Sequence, residues 1–440
     1  MKIFTGVIFL YFYAVTSLFC QSNDIIDWKT DLEYLKTQLP ELHSNLFSKI
    51  TKEEYNNEID QLIHVSEKIS SDAMFIKIEQ LIAKVGDSHT GTNYTSKITK
   101  KYLPMVLYQY EEGIFIVGAS EDEKEILGNK IIGFNGFALS RIIDSLKTVF
   151  VAENESIINA RIPGLLVNYT LLNHFGFAEN EKITVQSENY YGIPTEFKIK
   201  PVSTNDSDEI DFNFVRFSSK KIKRPSTRAI FTHKYINQDS TLYILYNKCT
   251  GREDQQMSVI ADSMQLSHTC LNSSNTAAKP LPYFRNFRDS VLVTIRSKPL
   301  KKLVIDLSRN TGGNPSQGTR MFEKIAELTK SNNDLKVYVI VGRSTFSAGI
   351  IHALELKRLF NATIIGEPTS GKPNFYGGID SRYLPGSCLR VTFSRYYRSM
   401  IKEMSDQEPS TLIPDVIFPL KFQDVVSGHD PVYHWIKAQN

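Results

Sequence analysis

At 440 residues, with 41% hydrophobic and 22% charged residues, the chain has the composition of ordinary globular protein and enough length for two or three domains. A formal net charge of +3 is too small at that length to make nucleic acid a partner on electrostatic grounds. Four cysteines are too sparse for a disulfide framework, and no CxxC, HExxH or convincing histidine spacing points to zinc, so neither a metal nor a cofactor is expected.

Met1-Lys2 followed by an apolar run from Ile3 to Phe19 reads as an export signal, with a processing point near Cys20-Gln21-Ser22. The run is long for a signal core. Membrane association therefore follows only if the segment is retained as an anchor or lipidated at Cys20, where Leu18-Phe19 is bulky for that chemistry. Residues 1–20 are assigned to the signal. If Cys20 leaves, Cys249, Cys270 and Cys388 remain, and a Cys249–Cys270 bridge is one option.

Residues 21–100 read as a helical module. Trp28, Leu32, Leu35 and Leu39 recur at helical spacing, Thr51 to Glu54 forms a capping box, and Ser71-Asp72 opens a helix that Gly86 ends. Residues 101–203 read as a small α/β module. Strands are expected at Met105–Tyr110, Ile114–Val117, 183–186 and 196–200, with an Asn135-Gly136 turn and helices over 140–150 and 157–175. The polar run Thr204 to Glu209 reads as a linker.

From 204 to 440 the pattern alternates. Strands are expected at 228–232, Thr241–Tyr246, 303–307, 337–341 and 363–365, with helices at 283–295, 321–328 and 348–360 between the later ones. Such alternation implies parallel strands with right-handed crossovers and a site beyond their carboxyl ends. Two features fall at that edge, the Gly312-Gly313 loop and Ser347. The serine follows a buried strand and a tight turn and precedes a helix, where free N–H groups and the helix dipole favour developing negative charge. A serine there is also an ordinary N-cap, so Ser347 needs company to count as a nucleophile.

The company is in the motifs. "GDSHT" at 86–90, "LVIDLSRNTGG" at 303–313, "RSTFSAG" at 343–349, "GEPTSGKPN" at 366–374 and "LIPDV" at 412–416, in this order, resemble the tail-specific (carboxyl-terminal processing) serine proteases, closest to the tricorn-protease core branch. The resemblance implies an α/β crotonase-like (ClpP/crotonase) catalytic domain with an N-terminal helical module and a PDZ-like α+β insert. It implies a serine endopeptidase acting on unfolded or C-terminal polypeptide segments; the export signal read above places it in the periplasm, cell envelope or medium. In that branch Ser347 is the nucleophile and His89 the general base, oriented by Ser88 and by Glu408, which stands six residues before Pro414. The oxyanion is met by the Ala348 N–H and one from Gly312 or Gly313.

Lys372, 25 residues after Ser347, has the spacing of the Ser-Lys dyad of the other branch. That branch carries glutamine four residues on, where this chain has Tyr376, and Pro373 follows directly. Gly366 to Lys372 also fits GxxxxGK, but Pro373 supplies neither the hydroxyl nor the N–H of a phosphate loop, so nucleotide binding is rejected. A silent binding protein on the same fold is the remaining alternative, as in the family's retinoid-binding relative.

Overall fold

The computed structural model describes residues 26–179, 181–203, 212–215, 229–257, 280–401 and 409–439. The signal segment, the linker Thr204 to Glu209, Cys270 and Glu408 lie outside these residues. No helix of the described residues is long and apolar enough to cross a membrane.

A six-stranded mixed sheet carries the second half of the chain. Its order is Phe231–Ile236, Thr241–Tyr246, Lys302–Asp306, Lys336–Val341, Thr363–Gly366 and Val416–Ile417. The first pair is antiparallel and the rest parallel. Alternate residues point to opposite faces, and both faces are covered, which is why these strands read as unbroken apolar runs. Ile244, Ile305, Val339 and Ile364 face the helices Phe284–Ser297, Ser316–Thr329 and Ala348–Phe360. Tyr243, Val304, Ile340 and Ile365 face the C-terminal helix Pro431–Ala438 through Tyr433 and Ile436.

The first half forms a second core. Helices Trp28–Thr37, Lys52–Val65 and Ser71–Ala83 pack with a seven-stranded sheet that includes Met105–Tyr110, Gly113–Ser120 and Ile183–Glu188. The Thr51 capping box forms with both limbs present. The Asn135-Gly136 turn forms too, with φ of 49° and 81°. One long helix over 157–175 does not. The helices are Glu155–Leu166 and Tyr169–His174, because Val167 accepts a bond from Leu103 N–H and Asn168 caps the second helix.

The hairpin Asn374–Tyr383 and Arg390–Ser399 leaves the six-stranded sheet and joins the first core. Gly91–Thr92 pairs antiparallel with its second strand, and Leu384, Leu389, Val391 and Phe393 are buried among the N-terminal helices. The Cys249–Cys270 option is corrected: Cys249 is a buried free thiol, and Cys388 carries the disulfide, its partner lying outside the described residues.

Candidate active site

Ser347 stands between the strand Lys336–Val341 and the helix Ala348–Phe360 in a backbone conformation that L-residues seldom adopt, φ 52° and ψ −119°. Such strain persists only where the surroundings over-determine it. Here the turn is anchored at several points. Thr345 Oγ1 donates to Leu307 O at 2.7 Å and accepts from Gly342 N–H at 2.9 Å. Phe346 N–H donates to Asn310 O at 2.9 Å. Asn310 is wholly buried and ties the adjoining loop as well, its Nδ2 donating to Tyr246 O at 2.7 Å and its Oδ1 accepting from Gly312 N–H at 2.8 Å.

Gly312 and Gly313 have φ of 94° and 127°. A Cβ on Gly312 would lie 2.7 Å from the Ser347 Cβ, and one on Gly313 would lie 2.7 Å from Cys249 O. Glycine is therefore needed for close approach to the serine itself. The Gly312 N–H is spent on Asn310, so of the two glycines only Gly313 can offer a donor. Neither the Gly313 nor the Ala348 N–H donates to any backbone acceptor named among the described residues. No side chain caps the helix that Ala348 opens.

His89 is buried, and the rings of Phe346 and Phe375 stack on it with centroids 4.5 and 5.3 Å away. The sequence thus brings a histidine from the end of the helical module against the residue preceding Ser347. No hydrogen bond joins them, and neither imidazole nitrogen has a hydrogen-bond partner among the described residues, although Nδ1 lies 3.9 Å from Asp87 Oδ1. Burial pushes the His89 pKa down to about 4; Asp87 opposes this while Lys372 and Arg161 reinforce it.

Asp87 fixes the loop that carries His89. Its carboxylate accepts from His89 N–H at 3.0 Å, Thr90 Oγ1 at 2.6 Å, Ser394 Oγ at 2.6 Å and His43 Nε2 at 3.2 Å. Asn45 N–H donates to His43 Nδ1 at 2.9 Å, so His43 is the neutral tautomer with its proton on Nε2. Burial would raise the Asp87 pKa, but the bonds from His43, Ser394, Thr90 and His89 outweigh it and hold the carboxyl below its usual value.

Ser88 does not bond to His89. Its hydroxyl donates to Glu153 at 2.5 Å, and Lys372 Nζ is paired with the same carboxylate at 2.9 Å. Lys372 is thereby an ion-paired ammonium, and the chain after Pro373 is the strand Asn374–Tyr383, as the rejection of a phosphate loop requires. Sequence reasoning missed Glu153, Asp87, His43 and Asn310. Asp87 and Asn310 lie inside two of the quoted motifs, whereas nothing local marks Glu153 or His43. Among the described residues no three His, Cys, Asp or Glu side chains are arranged to hold a metal ion.

Residues 318–417 match the family model described as Peptidase family S41. The structure of mature CPAF complexed with lactacystin is similar at a TM-score of 0.57 and 11% identity, covering 93% of this chain and 98% of that one. Mature CPAF is similar at 0.58 and 12%, covering 92% and 95%. At such identities the likeness speaks for the fold. No curated protein matches the sequence.

Proposed function

We propose that this chain, a serine-type peptidase that belongs to peptidase family S41, cleaves polypeptide through an acyl-enzyme on Ser347 with His89 as general base. The observation that carries the reading is the strained Ser347 backbone at the start of an uncapped helix, with Gly312 pressed against its Cβ. In the reaction the Ser347 oxygen attacks the scissile carbonyl while its proton passes to His89, which returns it to the departing amine. The oxyanion is met by the Ala348 and Gly313 N–H groups, the former at the positive end of its helix. The acyl-enzyme is then hydrolysed by water activated through the same imidazole.

A histidine with a pKa near 4 is neutral at physiological pH and ready to accept a proton, but the imidazolium it forms is costly in so buried a site. Groups that stabilise that cation are therefore required. Ser88 and Glu408 are the pair that the family resemblance supplies. The ion pair of Lys372 with Glu153 weighs against a Ser347/Lys372 dyad, because a lysine must be uncharged to act as a base.

The finer reading treats residues 204–440 as a crotonase-like catalytic domain and 101–203 as a PDZ-like insert. The substrates are unfolded or C-terminal segments of exported or envelope polypeptides, reached after the N-terminal segment directs export. A fluorophosphonate probe tests the core of the proposal. Labelling of the wild type that disappears in Ser347→Ala supports it; an unlabelled wild type favours the silent binding protein.

A further inference from the structure

Glu153 lies in none of the motifs, yet it is an acidic group from outside the proposed catalytic loop that bonds to it. One oxygen accepts the Ser88 hydroxyl at 2.5 Å and the other the Lys372 ammonium at 2.9 Å. The Glu153 and Lys372 side chains keep only 12% and 18% of their exposure, so the pair sits largely out of water, where each charge depends on the other. The backbone around it is pinned. Asn154 Nδ2 donates to Ser370 O at 3.0 Å and Ser410 O at 2.7 Å, and Ser156 Oγ to Pro368 O at 2.8 Å.

The direction of the Ser88 bond matters. A hydroxyl has one proton to give, and a carboxylate that shares a lysine can only accept it. With that proton committed, the Ser88 oxygen offers lone pairs alone to its remaining neighbours. Such an oxygen suits the N–H of a protonated imidazole and cannot compete with Ser347 for the basic nitrogen. Three charges bear on His89: Asp87 favours the imidazolium, and Lys372 and Arg161 oppose it. Glu153 neutralises the first of those cations.

We propose that Glu153 is a positioning residue for the Ser347–His89 reaction, fixing the Ser88 hydroxyl as an acceptor for the imidazolium and holding Lys372 as its counter-ion. This rests on the reading of Ser347 and His89 given above and deepens it. The proton balance is closed. One proton leaves Ser347 Oγ for a nitrogen of His89 as the oxygen–carbon bond forms. In the reacting complex the other ring N–H is offered to Ser88 Oγ, whose own proton stays with Glu153. Asp87 Oδ1 lies beside the ring, 3.9 Å from Nδ1. The transferred proton then goes to the amine nitrogen as the carbon–nitrogen bond breaks.

The test is kcat/KM against pH on the full chain with a fluorescent unfolded casein, for the wild type, Ser347→Ala, His89→Ala, Glu153→Gln, Lys372→Met and the double variant Glu153→Gln/Lys372→Met. Glu153→Gln is expected to lower kcat about tenfold or more, part of the ~10²–10⁴ that a general base supplies, with KM little changed. Its acid limb moves to lower pH, because an unpaired Lys372 cation now faces the imidazole. Lys372→Met moves the limb to higher pH, and the double variant returns it toward the wild type. A merely structural role would not reverse sign in this way. Full activity of Ser347→Ala or His89→Ala overturns the underlying reading and this inference together. Loss of activity in those two, with a wild-type rate and profile in Glu153→Gln, overturns the assignment of Glu153 alone. If Glu153→Gln does not stay folded, Ser88→Ala carries the test, and an unchanged rate and acid limb there overturns it.

Discussion

Phe375 lies nearly parallel to the His89 ring, 17° from coplanar and 5.3 Å between centroids, and so helps to keep the imidazole dry. Replacing it with alanine admits water beside a group whose pKa burial has driven to about 4. Desolvation penalises the charged form, so relieving it raises the His89 pKa toward its ordinary value near 6.5. In Phe375→Ala the acid limb of the rate profile is expected to move to higher pH. Histidine titration by NMR checks this directly, and an unmoved His89 resonance would refute the account of the shift.

Gly312→Ala tests the seat of the nucleophile. The new Cβ would sit 2.7 Å from Ser347 Cβ and 3.1 Å from the Ala348 nitrogen, on a backbone with φ of 94°. The serine must shift, and a displacement on the order of 1 Å costs about a hundredfold in rate. We expect kcat to fall by about that factor while substrate binding is largely kept. Steady-state kinetics at matched folded fraction decide it.

Asp87→Asn should be damaging in two ways. The carboxylate receives four donors, and an amide can present its NH₂ group to some of them, leaving buried donors unsatisfied at about 1–3 kcal/mol each. The lost charge also removes the one influence that raises the His89 pKa, so activity falls further. Because folding lowers the Asp87 pKa, its contribution in the wild type is present above the unfolded carboxyl value near 3.8 and is lost as pH falls through the folded one. Denaturant melts between pH 7 and pH 3 should show that acid sensitivity blunted in the variant.

Glu79 behaves oppositely. Burial pushes its pKa to about 8, against the bonds it accepts from Thr92 Oγ1 and N–H at 2.7 and 2.9 Å. A folded pKa raised above the unfolded 4.5 means that stability is fully present below 4.5 and declines as pH rises toward 8, by up to about 1.4 kcal/mol per pH unit. Glu79→Gln keeps an acceptor for Thr92 without the charge. Its melting temperature relative to the wild type should therefore improve from pH 5 to pH 8, and a constant difference would count against the raised pKa.

Whatever depends on neighbours in the sequence was readable from it. The capping box at Thr51, the Asn135-Gly136 turn and the apolar strands around Val304 and Val339 are set by local chemistry, and they form where their residues lie. Ser347 could be marked as a strand-to-helix serine, and His89 through a motif. What stayed hidden depends on distant partners. Val167 and Asn168 look helical until Leu103 claims the Val167 carbonyl. Gly312 looks like an N–H donor until Asn310 is found folded back on it. Glu153 looks like any acid beside a helix start, and only the approach of Ser88 and Lys372 gives it a role. Glu408 lies outside the described residues.

The ribbon from Asn374 to Ser399 carries a consequence for how the molecule holds together. It is encoded beside the nucleophile's segment, yet it is buried with Leu32, Leu35 and Phe75 from the opening helices. A fragment beginning after residue 203 would therefore expose Leu384, Val391 and Phe393 to water, and one ending before residue 374 would strip the same helices of their cover. The opening helices and the 374–399 ribbon share one interior, so the peptidase is expected to gain its reactive centre only when both are in place.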